Sequence, residues 1–346
     1  MPLDIRYNLF NFAPSELSHS AFWAWVLQSL DADSISELAG PQRVASRFVN
    51  RTGGAASTLH FPVTVQTEVS YRKRKDRIDI LVTDSSHTKI VIENKVKAIP
   101  SRSQLERYYA TLKSKEENQY FVIMSIAFDN DVRGSVPQPW KYLGIDDLID
   151  LVKPDQDSHP LLSDYVSWLT YQRDVRMTLC RDALTDHPLK VQAALRKPEG
   201  QWELMRVLTS SIPGRQYRGT NRGGTPWTQF RFLTGDDATY DHLLLRIDSS
   251  SRGPYLSVKQ YQKPPKPSRL HKQQRRDSLR KWWSEAVSQY SNGLIAGRPS
   301  SRGVYESEIG VFGIAENAPT MLQKELPEVL KAFTSRLSKE GWPVSG

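Results

Sequence analysis

Apolar and polar residues alternate with changing period along the chain, and each change predicts an element. Between Ser15 and Leu30, positions Leu17, Ala21, Ala24, Trp25 and Gln28 recur at helical spacing behind Ser15, a residue suited to cap a helix. Val44–Val49 reads as a second, short helix that Gly53-Gly54 ends. Phe61–Tyr71 is rich in β-branched residues and reads as a strand. In Arg77–Thr83 the period is two, with Ile78, Ile80 and Val82 on one face; in Lys89–Lys97, Ile90, Ile92 and Val96 share a face. The polar link Asp84–Thr88 predicts that these two strands pair as a hairpin. A helix starting at Ser101 or Ser103 and running to about Glu117 carries the stripe Leu105, Tyr108, Tyr109 and Leu112. Tyr120–Ala127 is an unbroken apolar run of strand length, as expected for a strand covered on both faces.

Helical patterns resume at Ile145–Val152 and from Leu161 to about Leu208. Pro213-Gly214 and the stretch Gly219–Pro226 then suggest a boundary. Beyond it, strands are expected near Gln229–Leu233, His242–Ile247, Tyr255–Tyr261 and Tyr305–Ile314, with helices near Arg269–Tyr290 and Met321–Lys339. The expected organisation is an α/β domain over residues 1–200, with a mixed central sheet flanked by helices, and an α+β domain over residues 201–346.

Composition narrows the class. With 346 residues, 38% apolar and 25% charged, the chain can bury substantial cores. Its one cysteine, Cys180, excludes a disulfide framework and suits a reducing, cytoplasmic compartment. No secretory leader is read at the start, and no apolar stretch is long enough to span a membrane. Charge is unevenly placed: residues 1–200 hold 25 basic and 25 acidic side chains, whereas residues 201–346 hold 22 and 13. The whole surplus of +9 therefore lies in the second part, which suits a polyanionic partner such as nucleic acid.

The candidate chemistry sits on the hairpin. Glu93 and Lys95 alternate away from the apolar face and are neighbours roughly 6–7 Å apart along their strand. Asp79 lies on the corresponding face of the partner strand, where pairing can set it beside Glu93. Two half-buried carboxylates repel unless a cation joins them. A hard divalent ion such as Mg²⁺, with Mn²⁺ able to substitute, suits such oxygen ligands together with a substrate phosphate. An ammonium at Lys95 could then orient water or stabilise phosphorane charge. The basic run Arg72, Lys73, Arg74 and Lys75 immediately precedes the Asp79 strand. The alternative for these charges is plain decoration of an exposed hairpin.

These residues resemble the PD-(D/E)XK nuclease superfamily. Ile78-Asp79 is similar to its Asp motif, with Ile78 where Pro is usual, and Glu93-Asn94-Lys95 matches its Glu-x-Lys motif. Asn11–Phe22 resembles the acidic helix of a bacterial branch, which maps a further metal-binding carboxylate onto Glu16. Gln104–Tyr108 resembles the Gln-x-x-x-Tyr element of the RecB-like branch. The resemblance spans about residues 8–170. It implies a restriction-endonuclease-like core and a Mg²⁺-dependent nuclease acting on DNA, with metal held by Asp79, Glu93 and Glu16 and with Lys95 and Gln104 in the catalytic set. For bacterial proteins of this kind it also suggests defence against phage or foreign DNA.

Several residues carry a second reading. Glu16 could simply complement the positive end of its helix. His19, one turn on, reads as a site residue or as a packing histidine. Glu68 reads as another acidic ligand or as a solvated strand residue. Gln104 could be a polar helix-start residue, and Tyr108 could be core. In the second domain, Arg269, Lys272, Arg276 and Arg280 recur at three- and four-residue intervals, as a phosphate-contacting stripe or a solvated helix face. The competing functions are a nucleic-acid-binding protein with an inactive nuclease core, and an interaction protein using the basic domain, whether with another protein or a second copy of itself.

Overall fold

Alternation of period two builds two separate five-stranded sheets in the computed structural model. The structure describes residues 8–13, 15–31, 35–53, 59–71, 76–96, 102–113, 118–126, 136–221, 224–233, 242–250, 253–261, 269–297, 299, 306–314 and 316–342. The chain divides into two compact units, Met1–Asp174 and Val175–Gly346.

In the first unit, α1 (Leu9–Phe12), α2 (Glu16–Gln28) and α3 (Ala39–Thr52) precede β1 (Val63–Tyr71), β2 (Asp76–Asp84) and β3 (Lys89–Lys95). Then come α4 (Arg102–Leu112), β4 (Gln119–Ser125), β5 (Lys141–Leu143) and α5 (Ile145–Val152). Ser15 caps α2 by accepting from the Ser18 amide at 3.2 Å, and Gly53 ends α3 at a left-handed φ of 100°. The sheet order is β1-β2-β3-β4-β5, antiparallel from β1 to β3 and parallel from β3 to β5.

Ile80, Val82, Ile90, Ile92, Val122 and Met124 turn one face of this sheet toward Trp23, Val26 and Leu27 of α2 and Phe48 of α3. Leu162, Tyr165, Trp168 and Leu169 of α6 (Pro160–Ala183) complete that core. The other face carries Leu81, Val91, Phe121 and Ile123, all buried. There α4 packs through Tyr109, whose ring lies 5.2 Å from that of Phe121, and Leu105 accepts from the Trp140 indole at 3.1 Å. A mixed sheet flanked by helices on both faces is the architecture the alternation predicts.

The second unit contains α7 (Pro188–Leu195), α8 (Pro198–Leu208), β6 (Arg215–Thr220), β7 (Pro226–Leu233), β8 (His242–Ser250) and β9 (Gly253–Tyr261). It ends with α9 (Arg269–Tyr290), β10 (Glu306–Gly313) and α10 (Pro319–Lys339). The sheet is antiparallel throughout, in the order β10-β9-β8-β7-β6. The division falls at Asp174/Val175 and not near residue 200. Val191, Leu195, Leu204, Met205 and Leu208 of α7 and α8 share a core with Leu243, Leu245, Leu256 and Val258 of the second sheet. Gly219 and Thr220, expected at a boundary, pair with Trp227 and Pro226 in the β6–β7 ladder instead. Among the described residues no helix is long and apolar enough to cross a membrane.

Candidate active site

The β2–β3 ladder runs from Thr83↔Lys89 to Ile80↔Ile92 and stops there. One residue further, side chains take over from backbone. The Asn94 amide donates to Asp79 Oδ2 at 2.7 Å, so Asp79 occupies the place of the next ladder acceptor. On its other edge β3 continues against β4, with Glu93↔Ile123, Asn94↔Met124 and Lys95↔Ser125. Asp79, Glu93 and Lys95 thus lie at a strand end held from both sides. Glu93 is 1% exposed, and its Oε1 accepts from Lys95 Nζ at 2.7 Å and from Gln104 Nε2 at 2.8 Å. Its other oxygen, Oε2, is buried with no hydrogen-bond partner among the described residues.

This geometry sets the electrostatics. Burial pushes Glu93 up to about 7, reinforced by the neighbouring Asp79 charge and opposed by Lys95. Burial also raises Asp79; the Asn94 amide and Lys95 oppose it, while Glu16 and Glu68 add to it. Burial pulls Lys95 down, but Glu93, Asp79 and Glu16 outweigh it and hold the ammonium above its ordinary value. Lys95 is therefore a charged donor at neutral pH. It can orient water or stabilise an anion.

The other expected residues arrive from separate elements. Glu16 opens α2, and its Oε1 accepts from the Val96 amide at 3.3 Å, one residue past Lys95. Glu68 stands on β1 between Thr67↔Ile80 and Val69↔Ile78, which brings it to the level of Asp79. Its φ of 57° is rare for a side-chain-bearing strand residue, and it pairs with Arg77 at 2.6 Å. Gln104 and Tyr108 come from α4. The Tyr108 hydroxyl accepts from Gln104 at 3.0 Å and donates to the Arg77 carbonyl at 2.8 Å, so this half-core tyrosine steadies the glutamine that touches Glu93. His19 is 1% exposed on the opposite face of the sheet, bonded to Asn94 and Tyr165. Burial lowers it to about 4, so its imidazole is neutral.

Asn94, Ser20, Trp23 and Tyr165 were not singled out from sequence, although each is bound into this region. Asn94 is the middle residue of the Glu93–Lys95 triplet, and only its burial, 0% exposed, marks it.

The basic candidates separate. Arg72, Lys73, Arg74 and Lys75 lie outside the described residues. The helix expected around Arg269–Tyr290 is present as α9, but the side chains of Arg269 and Lys272 are also outside the description. Arg276 pairs with Asp277 at 3.1 Å. Arg280 donates through Nε and Nη2 to the Glu308 carbonyl at 3.0 and 2.9 Å. That guanidinium fastens α9 to β10, and buried Trp283 anchors the same helix in the core.

The donor set fits a hard divalent cation. Burial makes the two carboxylates hold their protons more tightly than normal, only partly offset by Lys95, and one buried oxygen has no partner among the described residues. Among the described residues no three His, Cys, Asp or Glu side chains already converge as a closed cage. The Lys95 ammonium lies against Glu93 instead.

No curated protein and no solved structure shows significant similarity to this chain. The model of one family, described as the PD-(D/E)XK nuclease superfamily, matches residues 7–176. Those residues hold the mixed sheet and every described member of the acidic site. This first unit, with its restriction-endonuclease-like sheet and flanking helices, belongs to the PD-(D/E)XK nuclease superfamily.

Proposed function

We propose that the protein is a divalent-metal-dependent nuclease that hydrolyses phosphodiester bonds in DNA. The observation that carries this reading is the Glu93 carboxylate: buried, raised to about 7, half unpartnered, and set beside Asp79, Glu16 and a charged Lys95. Asp79 and Glu93 would hold Mg²⁺ or Mn²⁺, with Glu16 assisting. The ion would supply Lewis-acid stabilisation of charge on the oxygens of the phosphodiester. Lys95 donates a hydrogen bond that orients the attacking water and stabilises negative charge building on the phosphoryl oxygens. The water oxygen forms a bond to phosphorus, the bond to the leaving oxygen breaks, and one proton of the water ends on that oxygen, so that a phosphomonoester and a free hydroxyl result. Gln104 holds the Glu93 carboxylate in place, and Tyr108 holds Gln104.

The surplus positive charge of residues 201–346 supports a role for the second unit in holding the substrate backbone, together with Arg72–Lys75. Resemblance to a bacterial branch supports defence against phage or foreign DNA, and a single cysteine suits the cytoplasm. The test is incubation of the purified chain with linear, circular and single-stranded DNA and with RNA, in Mg²⁺, Mn²⁺ or chelator. Cleavage in metal and none in chelator is expected. Retained DNA binding without cleavage in any metal would leave a binding protein with an inactive core.

A further inference from the structure

The nuclease reading leaves one buried group unused, the His19 imidazole, and the residues around it form a single chain of donors and acceptors. Trp23 Nε1 donates to the Tyr165 hydroxyl at 2.8 Å. That hydroxyl meets His19 Nε2, and His19 Nδ1 meets Asn94 Oδ1 at 2.7 Å. Asn94 Oδ1 can only accept, so the proton sits on His19 Nδ1, Nε2 accepts, and Tyr165 donates to it. Asn94 Nδ2 donates to the Glu16 carbonyl and to Ser20 Oγ, each at 3.0 Å. The neutral imidazole that burial enforces is the form this scheme requires. The chain is sealed by an apolar wall, with the Tyr165 ring stacked on Phe22 at 3.9 Å and the Trp168 ring 6.1 Å from His19.

The Asn94 end of this chain reaches the site. The Asn94 side chain binds the backbone of Glu16, and the Asn94 amide binds the carboxylate of Asp79. Its two sequence neighbours are Glu93 and Lys95. Alternation explains the division of labour: Glu93 and Lys95 turn to the α4 face, where Gln104 waits, while Asn94 turns to the α2 face. Asn94 stands where the β2–β3 ladder has ended, so no backbone carbonyl of β2 holds it there.

We propose that Asn94 and His19 are positioning residues of the nuclease site: Asn94 sets the spacing between helix α2, which carries Glu16, and the strand ends that carry Asp79, Glu93 and Lys95, and His19 fixes the orientation of the Asn94 amide. This rests on the nuclease reading above. Neither residue touches the reacting atoms. Their contribution is to hold a desolvated acidic cluster in one geometry, the support on which affinity for a metal and alignment of a nucleophile both depend.

The test uses the full chain and the variants Asn94→Ala, His19→Ala, His19→Asn and His19→Gln. The Asn amide can occupy the place of Nδ1 and donate to Asn94, whereas the Gln amide reaches toward the place of Nε2 and loses that bond. Mn²⁺ affinity is measured by calorimetry, kcat and KM with duplex DNA in saturating Mg²⁺, and folding by thermal melting. Asn94→Ala, His19→Ala and His19→Gln are expected to lose about 10–100-fold in Mn²⁺ affinity and about 100-fold in kcat, with KM little changed. His19→Asn is expected to rescue most of the loss of His19→Ala, although it melts no higher than His19→Gln. Equal Mn²⁺ affinity and kcat across folded variants, or rescue by Gln in place of Asn, would overturn the proposal. A wild-type chain that binds Mn²⁺ but cleaves nothing would sink the nuclease reading, while the affinity series would still decide the positioning role. A wild-type chain that neither binds Mn²⁺ nor cleaves would overturn both.

Discussion

Glu93 should make the protein less stable as pH rises, and removing its charge should abolish this dependence. In the unfolded chain this carboxyl has its ordinary value of 4.5; in the native site it is pushed up to about 7. Between these values the native state keeps a proton that the unfolded state has released. Stability therefore declines as pH rises through the window, is untouched below it, and carries the full penalty above it. At about 1.4 kcal/mol per pH unit the interval amounts to about 3 kcal/mol. Asp79 and Glu93 titrate as an interacting pair, so the curve belongs to both. Glu93→Gln keeps the shape and removes the titration. Amide hydrogen exchange over Lys89–Lys95, in chelator from pH 5 to 8 and corrected for intrinsic rates, reads the local opening free energy. The variant should be nearly equal to wild type at pH 5 and more protected by up to about 3 kcal/mol at pH 8. Saturating Mg²⁺ should close the gap by stabilising only the wild type, because the cation favours the ionised carboxylate. A gap that does not change with pH, or a wild type better protected than the variant at pH 8 in chelator, would refute the account of the site as a desolvated acid cluster.

Four further outcomes rest on named residues. Asp79→Asn and Lys95→Ala should each abolish cleavage while leaving duplex binding intact; loss of DNA affinity in Asp79→Asn would mark Asp79 as structural. Glu16→Gln should cut turnover but cost folding only about 0.5–1.5 kcal/mol, since its carboxylate gives up one long bond to Val96, and wild-type turnover would remove Glu16 from the acidic set. In the second unit, Arg276→Gln should flatten the slope of log K against log salt by up to about 0.9 if it meets a phosphate. Arg280→Gln should instead destabilise that unit by about 1 kcal/mol through loss of the Glu308 contacts; a flattened slope with unchanged melting would show that Arg280 grips the nucleic acid.

The hairpin was legible because its information is local. Period two in Arg77–Thr83 and Lys89–Lys97 placed Ile80, Val82, Ile90 and Ile92 on one face, and the same parity forced Asp79, Glu93 and Lys95 together on the other. Short or polar edge strands escaped. Lys141–Leu143 is three residues long, and Arg215–Thr220 is too polar and glycine-punctuated to read as a strand. The apolar stripes of Pro188–Leu195 and Pro198–Leu208 showed that each helix needed a partner. They could not show which sheet would supply it, and that choice moved the division between units to Asp174/Val175. Asn94 was invisible for a related reason. A polar residue between Glu93 and Lys95 looks ordinary until tertiary packing sets His19 75 positions away against its amide, and Tyr165 a further 146 positions from His19 against the imidazole. Side-chain parity along a strand is a property of the strand alone. The partner that satisfies a buried amide is decided only when distant segments meet, because desolvation makes an unpaired polar group too costly to leave.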